Sequence, residues 1–177
     1  MKTRPISPTD FSEVLRLNEE SVQYLSFLSR DGLEKLHKQA ALQWVVEDHD
    51  KILGFVIVLI KGSDYGSINY QWFDQRHDNF LYVDRIVVAR KTQARGAGSL
   101  LYQKVFEFAQ DHQFDTVCCE YDIDPPNAGS AAFHRKFGFF EVARQAVANG
   151  TKLVSLQMAL AAGPITQAHH AGRSPAR

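Results

Sequence analysis

The sequence predicts an α/β fold of the α+β kind, with a central mixed sheet of about seven strands flanked by about four helices. Three observations carry that expectation. Hydrophobic periods of two and of about 3.6 alternate along the chain in the order β α α β β β α β α β β. The most strand-like stretch, Phe80 to Val88, runs through a basic, glycine-containing loop into a helix, making a strand-loop-helix centre. The composition is that of a folded domain, with 177 residues, 45% hydrophobic and 23% charged, a length that suits one domain better than two.

In order, Lys2 to Ile6 reads as a short edge strand, and Thr9 or Asp10 caps a helix to about Glu20 that turns Phe11, Val14, Leu15 and Leu17 toward the core. Arg30 to Gln39 is a second helix. Leu42 to Glu47 and Ile52 to Ile60 form a hairpin around the polar turn Asp48-His49-Asp50. Lys61 to Asn79 is too long for an ordinary connection and is read as a functional loop. After Phe80 to Val88, the helix that follows the Ala89 to Gly98 loop reaches about His112, with Leu101, Val105 and Phe108 in one apolar row and Tyr102, Phe106 and Ala109 in another. Thr116 to Tyr121 is the next strand. Asn127 caps a short helix to Lys136 that stops at Gly138, and Phe139 to Val147 pairs with Lys152 to Leu160 through the turn pair Asn149-Gly150. One domain is expected over 1–160, with 161–177 a frayed tail of small residues.

Twenty basic and twenty acidic residues cancel, so the broad basic field that nucleic acid or an anionic membrane requires is missing and neither is expected as a partner. The first residues have no apolar run behind them, and the longest aliphatic block, Phe55 to Ile60, is far short of the roughly 20 residues of a spanning helix, so a cytoplasmic location is expected. Cys118 and Cys119 would face opposite sides of a strand, and the seven histidines are scattered, so neither a disulfide framework nor a metal site is expected. Asn149-Gly150-Thr151 matches a glycosylation sequon only formally in such a location.

The chemistry is expected at the loop Ala89-Arg90-Lys91-Thr92-Gln93-Ala94-Arg95-Gly96-Ala97-Gly98-Ser99. Glycines let the backbone approach a ligand, and a helix start aims free N–H groups and its positive dipole end at the same place, which suits a phosphate. Arg90, Lys91 and Arg95 add positive charge. The Walker pattern is absent. The dinucleotide pattern Gly-x-Gly-x-x-Gly has Leu101 at its third glycine and seven residues between strand and loop, although Glu120 lies at about the right distance for a ribose-binding acid. The pattern Gln/Arg-x-x-Gly-x-Gly/Ala is satisfied by Gln93 to Gly98. A second pattern, Asn-x-x-(Ala/Ser)-x-x-(Leu/Phe)-Tyr-x-Lys-x-Gly-Phe, reads as Asn127, Ser130, Phe133, His134, Lys136, Gly138 and Phe139. With both motifs in order on the expected elements, the chain resembles the GNAT superfamily of acyl-CoA-dependent N-acyltransferases from about residue 2 to 160.

The resemblance implies acetyl-CoA as the donor, with the strand end Ile86, Val87 and Val88 bonding the pantetheine arm. Gln93, Ala94, Arg95, Gly96, Ala97, Gly98 and Ser99 would cradle the pyrophosphate, while Asn127, Ser130 and Phe133 complete the cofactor side. Phe133 reads equally well as a core aromatic. The resemblance also implies direct attack of an amine on the thioester. Asp84 is then the expected base, since a carboxylate in an apolar strand is costly unless used; the alternative is a salt bridge with Arg85 or another cation, Arg85 being disfavoured by strand alternation. Glu120 is the reserve base. His134 stands where the family carries a tyrosine and is the candidate acid for the departing thiolate. Tyr65, Tyr70, Trp72 and Tyr82 are candidates for an aromatic pocket around a small amine, with a local core or a homodimer contact beneath the loop as the alternative. Rival functions are a protein N-terminal or lysine acetyltransferase, a CoA-binding regulatory module without turnover, and a nicotinamide-dinucleotide binder.

Overall fold

In the computed structural model, residues 1–92 and 95–162 are described. Strand β1 (Lys2–Pro5) is held by Arg4, whose guanidinium donates to Glu47 at 2.9 Å and to both oxygens of Asp10 at 2.7 and 2.9 Å. Asp10 also accepts from the Ser7 amide at 2.8 Å, which turns the chain into α1 (Phe11–Glu19). Helix α2 (Arg30–Gln39) begins where Ser29 Oγ accepts from Gly32 N–H. Strands β2 (Leu42–Asp48) and β3 (Lys51–Ile60) join through His49 and Asp50, both left-handed at φ 48° and 60°, as a two-residue hairpin demands. Then follow α3 (Ile68–Asp74), β4 (Phe80–Val88), α4 (Ala97–Asp111), β5 (Thr116–Asp124), α5 (Ala128–Arg135), β6 (Phe140–Val147) and β7 (Lys152–Leu160).

Among the described residues seven strands form one mixed sheet in the order β1-β2-β3-β4-β5-β7-β6, and five α-helices cover its faces, one more than the sequence predicts. The addition is α3, inside the segment read as a loop. Ser67 Oγ accepts from Tyr70 N–H to start it, and Tyr70 and Phe73, one helical turn apart, are both buried. Ala161, expected in the frayed tail, is buried and its N–H donates to Asp115 O at 2.9 Å; residues 163–177 lie outside the described ones. Among the described residues no helix is long and apolar enough to cross a membrane.

Alternation along the strands divides the core in two. Phe55, Ile57, Leu59, Phe80, Tyr82 and Cys118 face α1, α2 and α3, whereas Val56, Val58, Leu81, Val83, Val117 and Cys119 face α4 and α5. The two cysteines therefore point to opposite faces, as the sequence predicts.

Two irregularities in β4 create the site. Its parallel pairing with β5 stops after Phe80–Tyr82 opposite Thr116–Cys118, although both strands run on, so the sheet opens between them. On its other edge the register slips: Val58 pairs with Val83 and Ile57 with Arg85, leaving Asp84 as the extra residue of a bulge. The slip brings Asp84 and Arg85 to the same face, that of α1 to α3.

Candidate functional site

The opening between β4 and β5 is a cleft of about 790 Å³ that passes from one face of the sheet to the other. On the α4 and α5 side its walls include Ile86 and Val88 of β4, with Val87 between them turned to the other face, Gly96 to Ser99 at the start of α4, and Asn127, Ser130, Phe133 and His134 around α5. Beyond Tyr82 the β5-facing edge of β4 has no strand partner, so its backbone groups must bond something else. Helix α4 starts at Gly96 (φ 89°) with no side-chain cap and no acidic residue in its first turn. Its first N–H groups thus point into the cleft with nothing negative beside them. A Cβ on Gly98 would come within 3.0 Å of Phe133 Cζ, which is why the helix can lie this close to α5. These features fit an elongated ligand carrying polar amides and a phosphate end.

Of the expected cofactor-side residues, Gln93 and Ala94 lie outside the described ones. The others gather at the cleft except Arg95. With Arg90 and Lys91 it lines a neighbouring groove of about 740 Å³, and it pairs with Asp48 at 3.4 Å. Arg90, Lys91 and Arg95 do not line the cleft, whose wall at this end is formed by Gly96 to Ser99. Asn127 Oδ1 accepts from Ser130 N–H and caps α5, while Phe133 stacks on Tyr102 at 5.4 Å and also walls the cleft.

His134 is buried among the rings of Tyr102, Phe133, Phe139 and Tyr121. Its Nδ1 lies 2.7 Å from Ser130 O, which places the proton on Nδ1 and leaves Nε2 as the bare nitrogen. Burial pushes its pKa below the ordinary value, against the pull of that carbonyl, so the imidazolium expected as an acid is disfavoured at neutral pH.

The opposite side of the cleft is walled by Ser21, Tyr24 and Leu25 of the α1–α2 connection and by Asp84, Arg85, Glu120 and Asp122. Here the structure corrects one expectation outright. Arg85 Nε donates to Asp84 Oδ2 at 2.6 Å, because the bulge puts the two neighbours on one face. Tyr65 OH takes the other Asp84 oxygen at 2.5 Å, and Arg85 reaches on to Asn18 Oδ1 at 2.7 Å and Ser26 Oγ at 3.3 Å. Burial opposes the Arg85 charge, but Asp84 more than offsets it and holds the guanidinium pKa above its usual value. Asp84 is thus the counter-ion of a buried arginine, with both oxygens occupied.

Glu120 is placed differently. Tyr82 OH donates to its Oε2 at 2.7 Å and Asn69 Nδ2 to its Oε1 at 3.0 Å, and it is part-exposed at the cleft. Burial pushes its pKa up to about 7 against the lowering by those two donors, with the Asp84 charge adding to the rise. Burial likewise holds the Tyr82 phenol well above its usual pKa, so it stays a donor.

The four aromatic candidates do not form a pocket. Tyr70 is buried, its OH 2.8 Å from Ile60 O and 3.0 Å from Asp74 Oδ1. Trp72 packs on Phe73, with Arg76 over its ring at 4.6 Å. The alternative of a local core describes both. Tyr65 and Tyr82 lie behind the cleft, each bonded to a carboxylate that faces it. What sequence reasoning missed are Tyr24, Leu25, Asn69 and Tyr121, which reach the site from elements far apart in the chain; only the Ser67 cap, two residues before Asn69, signalled that order was present there.

The sequence model of the acetyltransferase (GNAT) family matches residues 10–139. The chain belongs to this family. No curated protein matches it in sequence, but solved GNAT structures do in shape. Ard1 from Thermoplasma volcanium superposes with a TM-score of 0.73 at 17% identity, covering 90% of this chain and 96% of that one. Arabidopsis thaliana NAA60, solved with a bisubstrate analogue, gives 0.72 at 15% identity over 90% and 97%. The ribosomal-protein-S18-alanine N-acetyltransferase from Escherichia coli gives 0.68 at 14% over 90% and 92%. At these identities the likeness is one of fold, and the GNAT fold is what this mixed sheet is.

Proposed function

We propose that this GNAT protein moves an acetyl group from acetyl-CoA to a primary amine of a small molecule, with donor and acceptor bound together on opposite sides of the cleft. The observation that carries the reading is the cleft itself. It joins a wall of unpartnered backbone groups and an uncapped helix to a wall holding a carboxyl whose pKa is about 7. Ile86 to Val88, Gly96 to Ser99, Asn127, Ser130 and Phe133 would hold acetyl-CoA, which supplies the acyl group as an activated thioester. Glu120, in place of Asp84, is assigned as the base that takes the ammonium proton.

The energetics bear on the acceptor. Moving a proton to a base of pKa about 7 costs about 1.4 kcal/mol from an amine of pKa near 8 and about 4.6 kcal/mol from one near 10.4. Amines made less basic by a neighbouring group are favoured. His134, neutral and with its proton turned to Ser130, is not assigned as the acid, and the thiolate, of pKa about 8.5, takes its proton from water.

A small acceptor is favoured by Lys152, which donates to Gln23 O and Asp122 Oδ2, both at 2.8 Å, and so ties the α1–α2 connection to β5 and β7 beside the cleft. A polypeptide acceptor is the second reading, favoured by Val22, Tyr24 and Phe27, exposed by 45%, 45% and 77% on that connection. A protein named as a ribosomal-protein-S18-alanine N-acetyltransferase shares the fold. Thermal shift with acetyl-CoA, CoA and NAD tests the donor: stabilisation by the CoA species is expected, and stabilisation by NAD alone would overturn it. Thiol release across panels of small amines and short peptides tests the acceptor, with turnover of peptides only as the result that replaces the first reading by the second.

A further inference from the structure

Glu120 is held by a chain of side chains that starts outside the cleft. Gln145 Nε2 on β6 donates to Asn69 Oδ1 at 2.8 Å, and Asn69 Nδ2 on α3 donates to Glu120 Oε1 at 3.0 Å. The partners lie 76 and 51 residues apart in sequence, and Asn69 is only 8% exposed. An amide buried at the start of a helix is tolerated only when its donor and acceptor are both used. The direction of the chain matters. Because Gln145 gives a proton to Asn69 Oδ1, the Asn69 NH₂ and not its carbonyl must face the carboxyl. Tyr82 supplies the second donor at 2.7 Å, so each Glu120 oxygen accepts one bond from behind and keeps a lone pair for the cleft.

We infer that Asn69, oriented by Gln145, is a positioning residue that holds Glu120 in its ionised form toward the acceptor; the inference rests on Glu120 being the base. Other groups near Glu120 do not duplicate this role. Asp84 and Arg85 on β4 form a pair of their own, and the Tyr102 phenol on α4 and the adjacent Cys119 thiol are both held protonated by burial. Among the described residues Asn69 is the one neutral donor besides Tyr82 that bonds Glu120 and so favours the carboxylate over the acid.

The test is carbon NMR of the full chain carrying ¹³C-labelled glutamate side chains, with Glu120→Gln identifying the Glu120 signal. A titration midpoint near 7 is expected. Asn69→Ala should raise it by about one pH unit. Gln145→Ala, on the edge strand, should raise it less and serves if the first variant does not fold. With a substrate in hand, the acid limb of kcat/KM should move by the same amount, about fivefold at pH 7 for one unit, while KM for acetyl-CoA stays unchanged. A midpoint unmoved in the folded variants overturns the inference. Full kcat/KM in Glu120→Gln would instead remove its premise, and the two failures show in different measurements.

Discussion

The two walls of the cleft are built on different principles. The wall proposed for the donor uses backbone: the free edge of β4 and the first amides of α4, with glycines at 96 and 98 giving the turn and the clearance. Its parts are neighbours in the chain and carry no net charge to desolvate. The wall proposed for the acceptor uses ionisable side chains, Asp84, Arg85, Glu120 and Asp122, gathered with Asn18, Tyr65, Asn69 and Lys152 from five separate stretches. There burial and partners decide the chemistry, because one carboxylate paired with a guanidinium and another left with neutral donors acquire different uses. Two carboxylates on the same cleft face are thereby a counter-ion and a carboxyl bonded only by neutral donors, the one proposed as the base.

That division can be broken by substitution. Glu120→Gln should lower kcat/KM by about 10²–10⁴-fold while leaving acetyl-CoA affinity within about twofold by calorimetry; a comparable loss of donor affinity would show the walls are not separate. Asp84→Asn strips the buried Arg85 of its counter-ion and should cost about 3 kcal/mol, or roughly 10 °C in Tm by scanning calorimetry. If instead Tm held and only the pH profile changed, Asp84 would regain the role of base.

Glu120→Gln has a stability signature of its own. A carboxyl whose folded pKa is raised from 4.5 to about 7 makes the folded state bind more protons between those values, so its ionisation erodes stability as pH climbs through that window. The variant should therefore gain a few °C in Tm over the parent at pH 8, about 1–2 kcal/mol once exposure to the cleft is discounted, and none near pH 4.5. A gain independent of pH would refute the assigned environment. On the donor wall, Gly98→Val drives a side chain toward Phe133, which a Cβ alone would approach to 3.0 Å. It should weaken acetyl-CoA binding about tenfold, with the Glu120 titration unmoved. The smallest effect is expected of His134→Phe: with the imidazole neutral and its proton turned to Ser130, kcat should stay within about threefold, and a drop beyond tenfold would restore His134 as the acid.

How far the chain could be read without its structure follows the same division. Strand and helix order, the hairpins at His49-Asp50 and Asn149-Gly150, the opposite facing of Cys118 and Cys119, and the Gly96 to Gly98 loop were all legible. Each depends on side-chain period, on left-handed turn positions or on a glycine next to a helix start, all of which are local. The misreadings are non-local. Alternation separated Asp84 from Arg85, and a bulge fixed by the β3 register brought them together. A run of aromatics between Lys61 and Asn79 suggested a pocket, whereas Tyr70 and Phe73 were the buried face of α3. Arg90, Lys91 and Arg95 sat in the right loop but turned to a different groove.

The amino-acid sequence by itself determined the mixed sheet, four of the five described helices and the Gly96 to Gly98 loop, because periodicity and glycine placement act over a few residues. Only the tertiary structure decided which carboxylate is paired with a guanidinium and which is left with neutral donors. A carboxyl's pKa is set by what surrounds it, and for Glu120 those surroundings are Tyr82 of β4, Asn69 of α3 and, behind it, Gln145 of β6, groups that no local pattern connects.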